Sequence, residues 1–413
     1  MQGETPYRRP RNGPLPPIRT TDAAVVGGGP VGLATALLLA RHGFDTALVA
    51  PRPPGGDART SALLQGSLTL LKRLGIWPAC MADAHPLCAM RLVDDRDSLF
   101  RAPTVLFEAR ELGLDAFGWN LPYGALVAAL ETAVSVQPNI RRLEQRAERI
   151  ETDGRGVTIR VAGSEIRAVL VVGAEGAASP VREAAGIAAD SWSYPQTALA
   201  FNIGHEHAHD DVSTEFHRRA GPLVLVPLPG MRSSVVLVDR PEAAERLLHL
   251  PKHAFDDAVS AQTHWIHGRV EAEPQRSAFR LSGLVARRFA RGPAALVGEA
   301  AHRFPPIGAQ GLNLGLRDAA MLLECLVEAR PEGAGPLAAL DRYDARRRAD
   351  VASRVLAVDL LNGSLLGGLL PLPLLRSAGL ALLDGFAPLK RMLMREGLAP
   401  SFATPRLMRG EAP

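Results

Sequence analysis

The chain has 413 residues, enough for two domains or one large elaborated one. Hydrophobic residues make up 47% and charged residues 22%, so a sizeable core is expected and a disordered chain is excluded. The formal net charge of +4 comes from 47 basic against 43 acidic residues, too mild an excess to argue for nucleic acid, and no nucleic-acid motif accompanies it. It is compatible with an anionic membrane surface. The three cysteines (Cys80, Cys88, Cys325) are an odd number without metal-ligand spacing, which suits a reducing cytoplasm better than a disulfide framework. No apolar stretch reaches membrane-spanning length, and MQGETPYRRPRNGPLPPIRT at the start lacks the apolar segment of a secretory signal. Residues 1–20 therefore read as a basic, Pro-rich tail.

Asp22 to Val26 reads as a buried strand running into Gly27-Gly28-Gly29-Pro30-Val31-Gly32. An Ala- and Leu-rich helix to His42, closed by Gly43, and a second strand from Thr46 to Ala50 follow. Strand, G-x-G-x-x-G, helix and strand within about thirty residues form the dinucleotide fingerprint. Gly27 permits the tight turn, Gly29 lets a pyrophosphate reach the backbone, and Gly32 lets helix and strand pack closely. The acidic residue expected at the end of the second strand is replaced by Ala50, followed by Pro51 and Arg52. Either FAD binds with that ribose contact missing or supplied by a neighbour, or Arg52 marks the 2′-phosphate of NADP.

Further along, Gln65 to Leu74 and Leu126 to Val136 are predicted helices. Val93 to Leu106 is assigned to strands of a substrate-covering sheet, and Arg142 to Val171 to a meander with a turn at Asp153-Gly154. From Ser191 to Leu284 the texture becomes β-like, with runs at Ala198 to Ile203, Leu223 to Pro227 and Ser233 to Val238, and helices at Glu242 to Leu250 and Phe255 to Trp265. The histidines of Gly204-His205-Glu206-His207-Ala208-His209 alternate as zinc ligands on a strand would, but they sit at a strand edge and are expected in a solvated loop.

The stretch Pro293 to Leu326 organises the rest. Its apolar run Ala294 to Val297 suits a doubly covered strand, and Gly298-Glu299 sets a carboxylate at the edge where open α/β sheets bind ligands. A loop with Pro305, Pro306, Gly308 and Gly311 leads to a helix marked by Leu316, Ala320, Leu323 and Val327. Glycines at a helix mouth admit close approach, and the unpaired N–H groups favour a delocalised negative charge such as that of a reduced flavin. On spacing alone, an ordinary Gly-rich loop is equally open. His302 is expected to be a hydrogen-bonded packing residue. Leu337 to Asp359 is a predicted helix whose Arg346, Arg347 and Arg348 are assigned to a solvated face. The apolar tail Leu360 to Gly385, broken by glycines and prolines and followed by Lys390, Arg391 and Arg395, is expected to rest on a bilayer surface.

GEAAHRFPPIGAQGLNLGLRD, Gly298 to Asp318, resembles the second flavin motif of the para-hydroxybenzoate hydroxylase fold, and within that group is most similar to the UbiH-type ubiquinone-biosynthesis hydroxylases. Glu299 stands where that family has Asp. Asp57 to Leu63 resembles the family's Asp-x-Arg-x-x-Ala-Leu segment. Leu170 to Arg182 resembles its Asp-Gly motif, with Glu175 at the Asp position, and Ser213 to Val238 is again similar. The resemblance runs from residue 21 onward and decides the nucleotide for FAD.

It implies an α/β fold: a Rossmann-like FAD-binding domain of residues 21–93, 122–187 and 286–359, an inserted β-sheet substrate domain of 94–121 and 188–285, and a C-terminal helical segment, 360–413. The implied cofactor-binding residues are Gly27, Gly29, Gly32, Arg59, Glu175, Gly298, Glu299, Gly311, Leu312 and Asn313. Pro306, Gly308 and Gln310 would position the flavin, and no metal is implied. The implied activity is that of an FAD-dependent monooxygenase using NAD(P)H and O2 on a hydrophobic, polyprenylated phenol of ubiquinone synthesis. The expected location is the cytoplasm, with peripheral contact on the inner face of the cytoplasmic membrane and other ubiquinone-synthesis proteins as partners. Two alternatives stand beside it: a related flavin oxidoreductase acting on another phenol, and a non-catalytic flavin-binding partner in a quinone-synthesis complex.

Overall fold

A computed structural model describes residues 19–52, 57, 59–96, 103–154, 156–305, 309–333, 335–366 and 404–413. Its first sheet is built on a parallel set in the order Ala294–Leu296, Ser164–Gly173, Arg19–Val26, Thr46–Val49, Ile140–Leu143. Ala23, Ala24 and Val25 at its centre are wholly buried, and a strand covered on both faces must carry apolar side chains throughout. The strands Gly156–Val161 and Arg149–Asp153 extend Ser164–Gly173 antiparallel, which realises the expected meander.

A second sheet of eight strands runs in the order His302–Arg303, Val270–Ala286, Ala189–His205, Arg232–Asp239, Pro222–Leu228, Val212–His217, Ala89–Asp94, Val105–Glu108. Its core centres on Phe201 and Phe255, edge-to-face at 5.0 Å between ring centres, with the Arg276 guanidinium 3.6 Å over the Phe255 ring. A three-stranded sheet, Thr60–Leu64, Gly118–Pro122 and His85–Leu87, joins the two larger ones. Thr60 Oγ1 donates to Ser234 Oγ at 2.8 Å, and Asn120 Nδ2 to the Pro227 carbonyl at 3.0 Å. Chain segments far apart in sequence are thereby fixed around the strand ends of the first sheet.

Two helices carry the last motif. Gln310–Ala329 is buried along most of its length and packs on Pro336–Leu366. Between them lies a buried charge cluster centred on Asp318, which has no exposed surface. Its carboxylate accepts from the Gly298 N–H at 2.8 Å, from His302 Nε2 at 2.7 Å and from Arg347 Nε at 2.7 Å. Burial alone would raise this carboxyl. The charge of His302 and Arg347, with hydrogen bonds from His302 and Gly298, holds it below the usual carboxylate range. Arg347 also pairs with Asp350, which pairs with Arg317 at 3.3 Å.

Arg347 is thus not on the solvated face expected of the Arg346–Arg348 run. It is fully buried, while its neighbours pair with Glu328 and Asp344 at 2.9 and 3.1 Å. The helix must present one of three consecutive cations to the core, and Asp318 makes that tolerable. The histidine loop also departs from expectation. Residues 206–208 are exposed, but His205 and His209 are buried: the strand Ala189–His205 runs two residues past the expected end at Ile203, and His209 is held by the Leu228 carbonyl at 3.0 Å. The helix expected to end at Asp359 runs on to Leu366, so the first residues of the apolar tail Leu360 to Gly385 continue it, while residues 367–403 fall outside the described residues. Among the described helices none is long and apolar enough to cross a membrane. Residues 404–413 return to the first layer, where the Arg406 N–H reaches Glu324 at 2.7 Å.

Replacing one partner of a buried ion cluster strands the other charges. Asp318→Asn is therefore expected to destabilise the chain by ~3–5 kcal/mol, read as a lower urea midpoint at unchanged denaturant slope.

Candidate active site

Three glycine-containing turns converge at the carboxyl ends of the parallel strands. Gly27, with a φ of 124°, begins the first turn; a methyl group there would lie 2.3 Å from the Ala174 carbonyl oxygen. A methyl on Gly32 would lie 2.1 Å from the Gly27 carbonyl, so helix and turn could not close. Gly29 faces open space instead, where the nearest atom to such a methyl is the Tyr123 hydroxyl at 3.7 Å. Val31 of this turn touches the last motif: it lies 3.4 Å from a methyl placed on Gly298 and 2.6 Å from one on Gly315. The first and last motifs therefore share one packing contact.

The helix Gln310–Ala329 opens from Ala309, itself in the left-handed conformation at φ 54°. Its first-turn N–H groups have no intrahelical acceptors, and Gly311 presents its backbone with no atom within 4 Å of a methyl placed there. Gln310 and Gly311 form this mouth with Leu312. Asn313 acts differently, through its side chain: Oδ1 accepts from the Leu64 N–H at 2.9 Å, and Nδ2 donates to the Ala62 and Ala309 carbonyls at 2.8 and 2.7 Å. It clamps the helix mouth to the three-stranded sheet. Pro306 and Gly308 lie outside the described residues.

Arg59 stands over the Tyr123 ring at 4.7 Å, because the Thr60–Leu64 and Gly118–Pro122 strands pair in a register that puts the Tyr123 N–H 2.9 Å from the Arg59 carbonyl. Its guanidinium is held by Asp57 at 2.5 Å. The Asp57 hydrogen bond first, then the charges of Asp57 and Glu299, raise its pKa above the usual value against the opposing effect of burial. Glu299 is exposed and 3.7 Å from Arg303. The carboxylate of one motif thus lies close enough to act on the cation of another.

Glu175 turns inward. Its Oε1 accepts from the Val181 N–H at 2.8 Å and caps the short helix Pro180–Ala184, while Oε2 is buried with no hydrogen-bond partner among the described residues. Burial pushes this carboxyl up to about 7. At the nucleotide end, Ala50 lies 3.0 Å from a methyl placed on Gly28, and Arg142 Nη2 lies 3.8 Å from it. Arg142 pairs with Glu131, and its Nε and Nη2 are buried with no hydrogen-bond partner among the described residues. Arg52 pairs with Glu144 at 2.7 Å on the exposed surface.

Residues 20–358 match the family of FAD binding domains. The chain belongs to that family. It is 34% identical over 408 residues to the ubiquinone hydroxylase UbiL of Rhodospirillum rubrum, covering 95% of this chain and 93% of that one. It is 31% identical over 396 residues to the 3-demethoxyubiquinol 3-hydroxylase of Escherichia coli, covering 92% and 98%. Among solved structures, the p-nitrophenol 4-monooxygenase PnpA of Pseudomonas putida superposes with a TM-score of 0.75 at 20% identity, over 92% of this chain and 99% of that one. The protein is a flavoprotein monooxygenase of this family, with FAD as its cofactor.

Sequence reading missed Tyr123, Asp318, Arg347 and Arg142. Only Asp318 left a signal, as a charge inside the apolar stripe of a predicted helix. Glu175 yields a pH test. Its folded pKa lies above the unfolded one, so the proton it binds on folding favours the native state below the unfolded value, and this is lost as pH rises through about 7. Glu175→Gln removes the titration. The melting temperature of the variant relative to the native chain is expected to be higher at pH 8 than at pH 5, and a pH-independent difference would contradict this.

Proposed function

We propose that the chain hydroxylates a hydrophobic, polyprenylated phenol of ubiquinone synthesis, with NAD(P)H as reductant and O2 as the oxygen source. The observation that carries it is the likeness to two hydroxylases named for ubiquinone chemistry, each matched over more than nine-tenths of this chain. The geometry supports the cofactor roles. Gly27 and Gly32 admit no side chain, while Gly29 and Gly311 leave backbone open to a ligand, a cradle that fits the pyrophosphate at one end and the flavin ring at the other.

Bound FAD would supply the redox chemistry that activates O2 for transfer to the ring. The chain's residues do the rest. Gly29 and the helix it opens would face the pyrophosphate, and Arg142, with two nitrogens lacking a hydrogen-bond partner among the described residues, brings positive charge beneath Gly28 where Ala50 offers no carboxylate. The mouth at Gln310, Gly311 and Leu312 would place positive potential against the flavin's anionic edge. Pro306 and Gly308 are assigned to the flavin face. Arg59, Glu299 and the inward-turned Glu175 would border the cofactor, with Glu299 holding a ribityl hydroxyl. Asn313 orients the mouth. The second sheet closes the site against water, which protects reactive oxygen species from wasteful release.

The basic charge balance and the apolar tail Leu360 to Gly385 support docking on the inner face of the cytoplasmic membrane beside other ubiquinone-synthesis proteins, where a polyprenyl tail resides. Two outcomes are expected. Arg59→Ala should weaken FAD binding by roughly tenfold, measured by flavin fluorescence, with the fold intact by circular dichroism. Cells lacking the protein should accumulate a ubiquinone precursor short of one ring hydroxyl, and the purified protein should oxidise NAD(P)H in step with hydroxylation of that precursor. An unchanged quinone profile would overturn the substrate assignment.

A further inference from the structure

Away from the flavin site, the structure gathers four metal-ligating side chains at one corner of the second sheet. His85 opens the strand His85–Leu87, Cys88 follows it, and His209 and Asp211 lie in the turn before Val212–His217. Their backbones are joined already: the Cys88 and Ala89 N–H groups donate to the Asp211 carbonyl at 3.0 and 3.3 Å, where the parallel pairing of Ala89 with Val212 begins. Asp211 is the hub. His85 Nε2 is 2.6 Å from its Oδ1, His209 Nδ1 is 3.9 Å from the same oxygen, and Cys88 Sγ is 3.9 Å from Oδ2. The nitrogens of both histidines and the Asp211 oxygen all lie within 4.8 Å of one another.

We propose that His85, Cys88, His209 and Asp211 bind a divalent metal of the zinc class. Two imidazoles, one thiolate and one carboxylate are a tetrahedral zinc donor set, and their two negative charges neutralise the ion. His209 is already set in the tautomer a ligand needs: Nε2 donates to the Leu228 carbonyl at 3.0 Å, which leaves the Nδ1 lone pair facing Asp211. That lone pair now takes only the Asp211 N–H at 3.2 Å. Asp211 is partly exposed, so its carboxylate is free on one side to turn and admit an ion at ordinary bond lengths of roughly 2.0–2.3 Å.

The surroundings favour this occupant. His205 lies edge-on to His209 and stacks on His267 at 4.8 Å. Asp210 and Asp211 are consecutive non-glycine residues in the left-handed region, at φ 51° and 58°, in the turn that carries Asp211 beside His85 and Cys88. On binding, the Cys88 thiol gives its proton to solvent, the His85 proton moves from Nε2 to Nδ1, and four bonds to the metal form with no change of oxidation state. The metal would pin the segment 85–88 to the turn 209–211, where the second sheet takes up its outer strands.

The test uses the full-length, untagged, FAD-loaded protein after chelator treatment. Zinc is titrated against a chromophoric chelator of micromolar affinity, and Co2+ serves as a spectroscopic probe. Expected are one zinc per chain, about one proton released per zinc, a higher melting temperature with zinc, and a thiolate-to-cobalt band absent from Cys88→Ser. His85→Ala and Asp211→Asn should each weaken zinc binding by roughly a hundredfold or more, with the flavin spectrum and circular dichroism unchanged. Zinc left entirely on the chelator, zinc uptake by the two variants equal to the native protein's, or a cobalt complex without the thiolate band would overturn the four-ligand site. Because flavin absorbance is recorded in the same samples, failure here is distinguishable from failure of the FAD assignment.

Discussion

The Asp318 carboxylate is the constraint on which the site depends. It is wholly buried, and it receives one donor each from the turn after the last parallel strand, from the strand His302–Arg303 of the second sheet and from the helix Pro336–Leu366. A carboxylate without water must keep all its partners, since each lost hydrogen bond leaves charge uncompensated in a medium of low polarizability. The Gly298 turn, the strand at His302 and the Arg347 helix are therefore held at one place. Tyr343, also fully buried, adds a donor to the Leu296 carbonyl at 2.7 Å and fixes the same strand end.

Around that anchor the glycines divide the work between packing and binding. Gly27, Gly32 and Gly315 leave no room for a Cβ, so helices and turns approach to backbone contact. Gly29 and Gly311 meet no such neighbour and present N–H groups outward. Both kinds are needed: tight packing brings two helix N-termini to one opening, and open backbone lets their dipoles act on a ligand's negative charge at short range. The aromatic and cationic side chains, Tyr123 and Arg59, lie between the two mouths because strand pairing in the small sheet carries them there.

Much of the first layer was legible in the chain. Glycine spacing next to a buried strand has few structural solutions, so the turn at Gly27–Gly32 and the strand–turn–helix at Ala294–Ala329 stand where spacing put them. What sequence could not show were contacts made by tertiary packing alone. Arg347 looked like one of three surface cations, since its partner Asp318 is 29 residues upstream on another helix. Asn313 was legible as part of a helix mouth, but its side-chain clamp on Ala62 and Leu64 spans some 250 residues of chain. His85 and Cys88 carried no message until the sheet brought Asp211 to them, 123 residues from the cysteine.

The central claim is that two distant glycine-lined helix mouths form a single site that takes both ends of one FAD. The most direct measurement is an equilibrium titration of the flavin-free chain with FAD and, in parallel, with FMN, which lacks the adenosine half. The account predicts one FAD per chain, a dissociation constant of about 10 µM or below, and FMN binding weaker by roughly a hundredfold. FMN bound as tightly as FAD, or no saturable flavin binding at all, would contradict it.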